Sequence, residues 1–258
     1  MKSILLFLLL SSLSLFSFAQ VAANKTDSRG MKQGKWIGKY PDGTLKYEGK
    51  FFNDKPIGEW KRYHENGKLK AQMSYYPNSE RAFASLFDTD AKLYAKGVFE
   101  NTLRDSIWNF FSAEKVVLTE SYHLGKKEGT SKAFDQKSQL ISEKEWKNDM
   151  LDGKSTEFYP NGQKRSEITF SGGAKNGLAL FYDQDGAKTV EGNYKEDLSE
   201  GEWKFFEKEG KVKYKIQYDK GNILNSAALD SLQLNEFKKF DKLKGKIPEP
   251  AVNETGRP

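Results

Sequence analysis

The chain has 258 residues, with 42 Lys and Arg against 36 Asp and Glu, a formal net charge of +6, two histidines and no cysteine. The lack of cysteine removes disulfides, thiol catalysis and thiolate metal sites, and basic residues interleaved with acidic ones describe a solvated face, not a nucleic-acid stripe. Apolar content of 37% is low for a compact globule while 14% aromatic is high, which suits a thin repeat fold whose small core is built from rings.

Residues 1–19 read as a cleaved signal peptide: Lys2, an apolar run from Ile4 to Phe18, and Ser17-Phe18-Ala19 as a small-x-small cleavage site. At about 15 residues the run is short for a membrane span. The mature protein is expected to be exported to the periplasm or cell surface. Residues 20–33 form a linker, and residues 34–224 are one repeated pattern. Copies begin at Gly34, Gly58, Ala82, Ser106, Gly129, Gly153, Gly177 and Gly201, every step being 24 residues except one of 23.

Five residues into each copy stand Lys39, Tyr63, Phe87, Phe111, Phe134, Phe158, Tyr182 and Phe206; seventeen residues in stand Phe51, Tyr75, Phe99, His123, Trp146, Phe170, Tyr194 and Tyr218. Each column is aromatic in seven of eight copies. Between them lies a turn, clearest as Tyr40-Pro41-Asp42-Gly43 and Tyr159-Pro160-Asn161-Gly162, whose proline presets a type I turn and whose glycine accepts positive φ. After it the pattern alternates with period two, as in Leu45, Tyr47, Gly49 and Phe51, which marks a half-buried strand. A loop of about five residues, such as Asn53 to Ile57, returns the chain to a leading slot that holds only Gly, Ala or Ser, the sign of a tight return between close backbones. The fold class is therefore all-β: an elongated single-layer array of about eight hairpins, about 16 antiparallel strands and roughly 75 Å long at about 4.8 Å per strand.

From Ser226 the composition changes. Leu229, Leu232, Phe237, Phe240 and Leu243 among charged residues read as a short amphipathic helix over 225–245 that caps the last hairpin, followed by a disordered tail from 246 to 258.

The repeat offers little for catalysis or metals. His64 stands in a turn-opening slot filled elsewhere by Tyr40 and Tyr159, and His123 replaces an inward ring, so both read as structural substitutions. Asp183-Gln184-Asp185-Gly186 aligns with the other turns and lacks the later Glu of a calcium loop. Glu48, Glu120, Glu143, Glu167 and Glu191 form one solvent-facing column, accounted for by cross-strand pairing with lysines. No catalytic residue, metal site or cofactor is expected. The candidate binding residues are aromatic: Trp36, Trp60, Trp108 and Trp203, which share the slot two residues into a copy, with Tyr63, Phe87 and Phe111. The tryptophans are read as core, with a row of stacking platforms for sugar or peptide as the second account. Trp60 and Tyr63 are assigned to one ring cluster.

Tyr47-Glu48-Gly49-Lys50-Phe51 leading to Gly58-Glu59-Trp60, and Val190-Glu191-Gly192-Asn193-Tyr194 leading to Gly201-Glu202-Trp203, resemble the MORN (membrane occupation and recognition nexus) repeat in its bacterial variant form. The resemblance covers about 190 residues. It implies a twisted all-β array of hairpins with an aromatic groove, serving as an interaction or scaffold module; bacterial members often carry an antitoxin label. The middle of the chain departs from the pattern, with Ala82 and Ser106 in the glycine slot, Ala84 in the tryptophan slot, and Ala91, Lys115 and Ser138 where the turn glycine belongs. Those hairpins are expected to be irregular or bent. The expected function is a non-enzymatic interaction or scaffold protein of the cell envelope that binds an envelope protein. A cell-wall or glycan-binding module is the alternative, with phospholipid binding and an antitoxin-like role behind it.

Overall fold

A computed structural model describes residues 23–225. The segments read as signal peptide and tail, and all but Asn225 of the one read as a capping helix, lie outside the described residues. β1 (Lys25–Thr26) falls within the stretch read as linker. Copies one and two contribute β2 (Lys32–Lys39), β3 (Leu45–Phe52), β4 (Lys55–Tyr63) and β5 (Leu69–Tyr75). Copies three and four contribute β6 (Arg81–Phe87), β7 (Leu93–Glu100), β8 (Leu103–Ser112) and β9 (Lys115–His123). Copies five and six hold β10 (Lys126–Phe134), β11 (Leu140–Lys147), β12 (Met150–Phe158) and β13 (Lys164–Ser171). Copies seven and eight hold β14 (Ala174–Tyr182), β15 (Lys188–Lys195), β16 (Leu198–Phe206) and β17 (Val212–Asp219), and β18 (Asn222–Ile223) ends the described chain. Each strand pairs antiparallel with its sequence neighbours, so the array is one open meander of 18 strands.

The sheet has two kinds of turn, one along each edge. Along the first, the Tyr40 N–H donates to the Thr44 carbonyl at 2.8 Å and Gly43 takes φ +88°. The same geometry recurs at His64–Lys68, Asp88–Lys92, Asp135–Gln139, Tyr159–Gln163, Asp183–Ala187 and Glu207–Lys211. Copies three and five are not irregular here, because Ala91 and Ser138 adopt φ +64° and +63° in the glycine position. The strain of a side chain at positive φ is offset by Asp88 and Asp135, each of which accepts two backbone N–H bonds across its own turn.

Along the other edge the expected five-residue loops are mostly two-residue turns. Asn53-Asp54, Asn101-Thr102, Asn148-Asp149 and Glu196-Asp197 all have positive φ at both positions, the mirror-image turn whose twist matches that of the strands. Only β5 and β6 are joined differently, through residues 76–80.

The leading glycine has a conformational cause in every copy that keeps it, and a spatial one as well at Gly153 and Gly177, where a Cβ would fall 2.0 Å from Glu145 Oε2 and 3.3 Å from Thr169 Cβ. A Cβ at Gly34, Gly58 or Gly201 would meet nothing within 4 Å, but all three have positive φ, and at Gly58 and Gly201 the strand bulges against its predecessor. Ala82 is accommodated because β5 and β6 pair without a register shift, whereas Ser106 accepts φ +60°.

Both ends of the sheet are finished by an asparagine. Asn24 accepts from the Ile37 N–H at 2.8 Å and donates to the Ile37 carbonyl at 3.0 Å. Asn225 accepts from the Gln217 N–H at 3.0 Å and donates to the Lys215 carbonyl at 3.1 Å. Each side-chain amide thus stands in for a pairing strand at an otherwise open edge.

Candidate interaction surface

Alternation gives the sheet a tryptophan face and a glutamate face. A one-layer sheet buries an indole by laying it over a missing side chain. A Cβ added to Gly49, Gly97 or Gly192 would sit 2.1, 2.3 and 2.1 Å from the ring of Trp60, Trp108 and Trp203 respectively. Each indole N–H donates to the carbonyl of the residue after that glycine (Lys50, Val98 and Asn193, 3.0–3.1 Å). Each ring is also met edge-on by the next aromatic, Phe51, Phe99 or Tyr194, at 4.7–5.0 Å between centroids. Glycine stands eleven residues before tryptophan in all three cases. Where Ala84 replaces the tryptophan, Met73 replaces the glycine and lies opposite it; Ile168 and Ala179 repeat the exchange. The row is filled by volume.

Trp60, Trp108 and Trp203 are only 7%, 0% and 6% exposed, so they offer no open ring to a sugar. Trp36 is half-buried against Phe51, at 5.7 Å between centroids. Tyr63 lies on the opposite face from Trp60, donating to Glu48 at 2.8 Å, so the two do not share a cluster. Burial and then the Glu48 carboxylate push the Tyr63 phenol up to about 12. Phe111 shares the Tyr63 face with Lys96, whose ammonium stands 5.8 Å from its ring, and Phe87 lines a cleft with Phe111.

Copy four contains the 23-residue step. Its turn is Ala113-Glu114, one residue shorter than the others of its edge, and Ser106 consequently aligns with Tyr122. Tyr122, not His123, therefore fills the ring column, and His123 is exposed. The same shift carries Glu120 off the solvent-facing glutamate column and buries it on the tryptophan face. There it accepts from the Tyr122 hydroxyl at 2.5 Å and pairs with Lys127. Burial and Glu120 raise the Tyr122 pKa above its ordinary value. Arg104 lies over Trp108, Phe110 and Tyr122 at 4.9–5.3 Å and donates to the Tyr122 hydroxyl.

Nearby, buried Asp105 accepts from Arg81 at 3.0 Å and from the Ser106 hydroxyl at 2.8 Å, with His123 Nδ1 3.6 Å away. The serine is bonded to the acid and not to the imidazole, so the nucleophile–base bond of a hydrolytic triad is not formed. His64 has a positive structural role: its Nε2 bonds the Phe87 carbonyl at 3.0 Å, as the hydroxyls of Tyr40 and Tyr159 bond the Tyr63 and Tyr182 carbonyls. Asp183 accepts from its own turn at Asp185 and Ala187.

The glutamate face carries the lysine pairs expected there, Glu48 with Lys35, Glu143 with Lys132, Glu167 with Lys154 and Lys164, and Glu191 with Lys188. The lysine partners hold the Glu167 and Glu191 carboxyls below their ordinary range. The pairing is absent from copies two to four, where the corresponding column holds Gln72, Lys96 and Thr119. The slot that holds Lys35, Glu59, Thr130, Lys154 and Glu202, and a single outward Leu178 in copy seven, becomes Phe83 and Ile107 in the consecutive copies three and four, 43% and 59% exposed, with Val98 on the strand between them in register with Phe83. Beyond them, beside the shortened turn, opens a cleft of about 980 Å³ lined by Phe87, Leu93, Tyr94 and Phe111 together with Asp88, Lys92 and Glu114. Sequence columns point to copies three and four as divergent, but they do not separate the two faces, so Phe83, Val98 and Ile107 go unmarked. Their signal is the loss of charge in slots that are otherwise mostly charged or polar.

Four segments, residues 32–54, 56–78, 151–171 and 199–220, match the family model for the MORN repeat variant. Residues 79–150, which hold the shortened turn, the apolar slots and the buried carboxylates, fall between the second and third matches. No curated protein matches the sequence.

Proposed function

Since the chain is a MORN-repeat protein, built from repeats that generally serve as modules for binding proteins or membranes, we propose that it is a non-enzymatic interaction scaffold, exported to the cell envelope, that docks a protein on the glutamate face of copies three and four. The observation that carries this reading is the break in the charge pattern at Phe83, Val98 and Ile107. Exposed apolar side chains grouped on an otherwise charged face mark contact surfaces. A protein is favoured over a lipid headgroup layer because the remaining face alternates Lys with Glu, whereas surfaces that seek anionic membranes are uniformly basic. Export rests on the Lys2, Ile4–Phe18 and Ser17-Phe18-Ala19 pattern.

A photo-crosslinking residue at Ile107, compared with one at the equally outward Leu178 of copy seven, tests the docking surface in native envelope preparations. Capture of one defined protein from position 107 and not from 178 is the expected result. Equal capture at both positions, or none at 107, refutes it. Cell fractionation with a tag after Pro258 tests export: a cytosolic, full-length product would refute that part.

A further inference from the structure

The apolar lane has dimensions and a charge that specify its occupant, and this argument rests on the docking surface proposed above. Phe83 and Phe87 lie four residues apart on β6, as Ile107 and Phe111 do on β8. Each pair spans about 13 Å, and the two strands run about 9.6 Å apart. That is the width of one α-helix and the length of about nine of its residues. One end of the lane is the Phe83–Val98–Ile107 patch, and the other is the cleft of about 980 Å³.

Across the middle of the lane the charge is positive. In the row that crosses it, no carboxylate intervenes between Glu48 on β3 and Glu143 on β11, while Lys61, Lys96 and Lys132 do. Glu48 is taken by Lys35 and the Tyr63 hydroxyl, and among the described residues Lys61 and Lys96 make no ion pair. We propose that the lane receives a single amphipathic helix of a partner protein, its apolar stripe seated on the side chains of β6 and β8, with Asp or Glu beside the stripe meeting Lys61 on β4 and the ammonium of Lys96, which reaches up from β7 beneath. The chain's own residues 226–245 fit less well. Four lysines outnumber three acids there, and they start at β18, ten strands or about 48 Å along the sheet from β8.

The test uses the full chain and fluorescein-labelled 14-residue helical peptides with leucines at positions 1, 4, 8 and 11, flanked by Glu in one and by Lys in the other, read by fluorescence anisotropy. The expected result is binding of the Glu-flanked peptide at least tenfold tighter than the Lys-flanked one. Phe83→Ser with Ile107→Ser should weaken it at least tenfold at unchanged circular dichroism, and Lys96→Glu should invert the preference. Equal binding of the two peptides, or binding indifferent to the double substitution, overturns the proposal. Preference for the Lys-flanked peptide that is still lost in Phe83→Ser with Ile107→Ser overturns the acidic helix but leaves the docking surface standing. Absence of peptide binding with persistent crosslinking at Ile107 does the same. A wild-type dimer that Phe83→Ser with Ile107→Ser dissociates would assign the lane to a second copy. Peptide binding that appears only after Phe237→Ser with Phe240→Ser would assign it to the chain's own C-terminal segment. Either result overturns the proposal.

Discussion

Exchanging the sizes at Gly49 and Trp60 should cost far less than changing either alone. Gly49 is absent from the positive-φ residues, so its backbone admits any side chain and only the ring forbids one: a Cβ there would lie 2.1, 2.3 and 2.6 Å from Cδ2, Cε2 and Cε3 of Trp60. Trp60 buries about 200 Å² of ring, worth up to about 5 kcal/mol at 25 cal/mol per Å², and removal of such a side chain typically costs about 3–5 kcal/mol. Gly49→Met must expel the same ring and so should cost about as much. The double variant recreates the Met73 and Ala84 pairing already present one repeat along, and should recover about 3 kcal/mol of the summed loss. Urea unfolding followed by circular dichroism on the four proteins measures this coupling. Hydrogen exchange of β3 and β4 amides reports it locally, since each repeat touches only its neighbours. A double variant that loses the full sum would refute the volume argument and return Gly49 to a purely backbone role.

Three further outcomes follow from the same geometry. Gly58→Ala should destabilise by about 1–2 kcal/mol and Gly58→Asn by less, read as unfolding midpoints, because the site is open but left-handed at φ +63°; equal losses would return the slot to steric crowding. Tyr40→Phe and Tyr159→Phe each remove one bond between adjacent turns, of 2.8 and 2.9 Å, and should cost about 1 kcal/mol apiece and add in the double variant; strong non-additivity in denaturant would contradict a nearest-neighbour array. Tyr63 should ionise near 12 by ultraviolet or NMR titration, and nearer the ordinary value of 10 in Glu48→Gln. A folded pKa above the unfolded one means its stabilisation is whole below pH 10 and is lost as pH rises towards 12. A Tyr63 titration unmoved by Glu48→Gln would remove the carboxylate as a cause.

Much of the architecture is legible in the chain because a repeat of 24 residues exposes its own grammar: a ring column, a turn with Asn-Gly or Asp-Gly, then alternation. What columns hide is the side of the sheet. A bulge near each turn and another at the leading glycine change the alternation between the two ring columns, so Tyr63 and Phe51 are both aromatic yet face opposite ways. The deletion at Ala113-Glu114 has the same origin. Counting from Ser106 places His123 in the ring slot and Glu120 among the solvent glutamates, whereas pairing across the shortened turn gives both places to other residues, Tyr122 and Thr119. The interval from Gly49 to Trp60 is readable beforehand, since the exchange to Met73 and Ala84 preserves it. The apolar lane is harder to see, because three residues on three strands become neighbours only once the faces are known.

Strict neighbour-to-neighbour pairing also makes the array a mechanical element. The described chain enters at one end of the sheet and leaves at the other, so tension on its ends acts along the inter-strand hydrogen bonds and opens them pair by pair instead of shearing a whole strand at once. Twenty-four residues extend to about 80 Å and occupy two strand spacings, about 10 Å, when folded. Each hairpin therefore stores about 70 Å of slack, which a single-molecule force trace would show as regular low-force steps of that length.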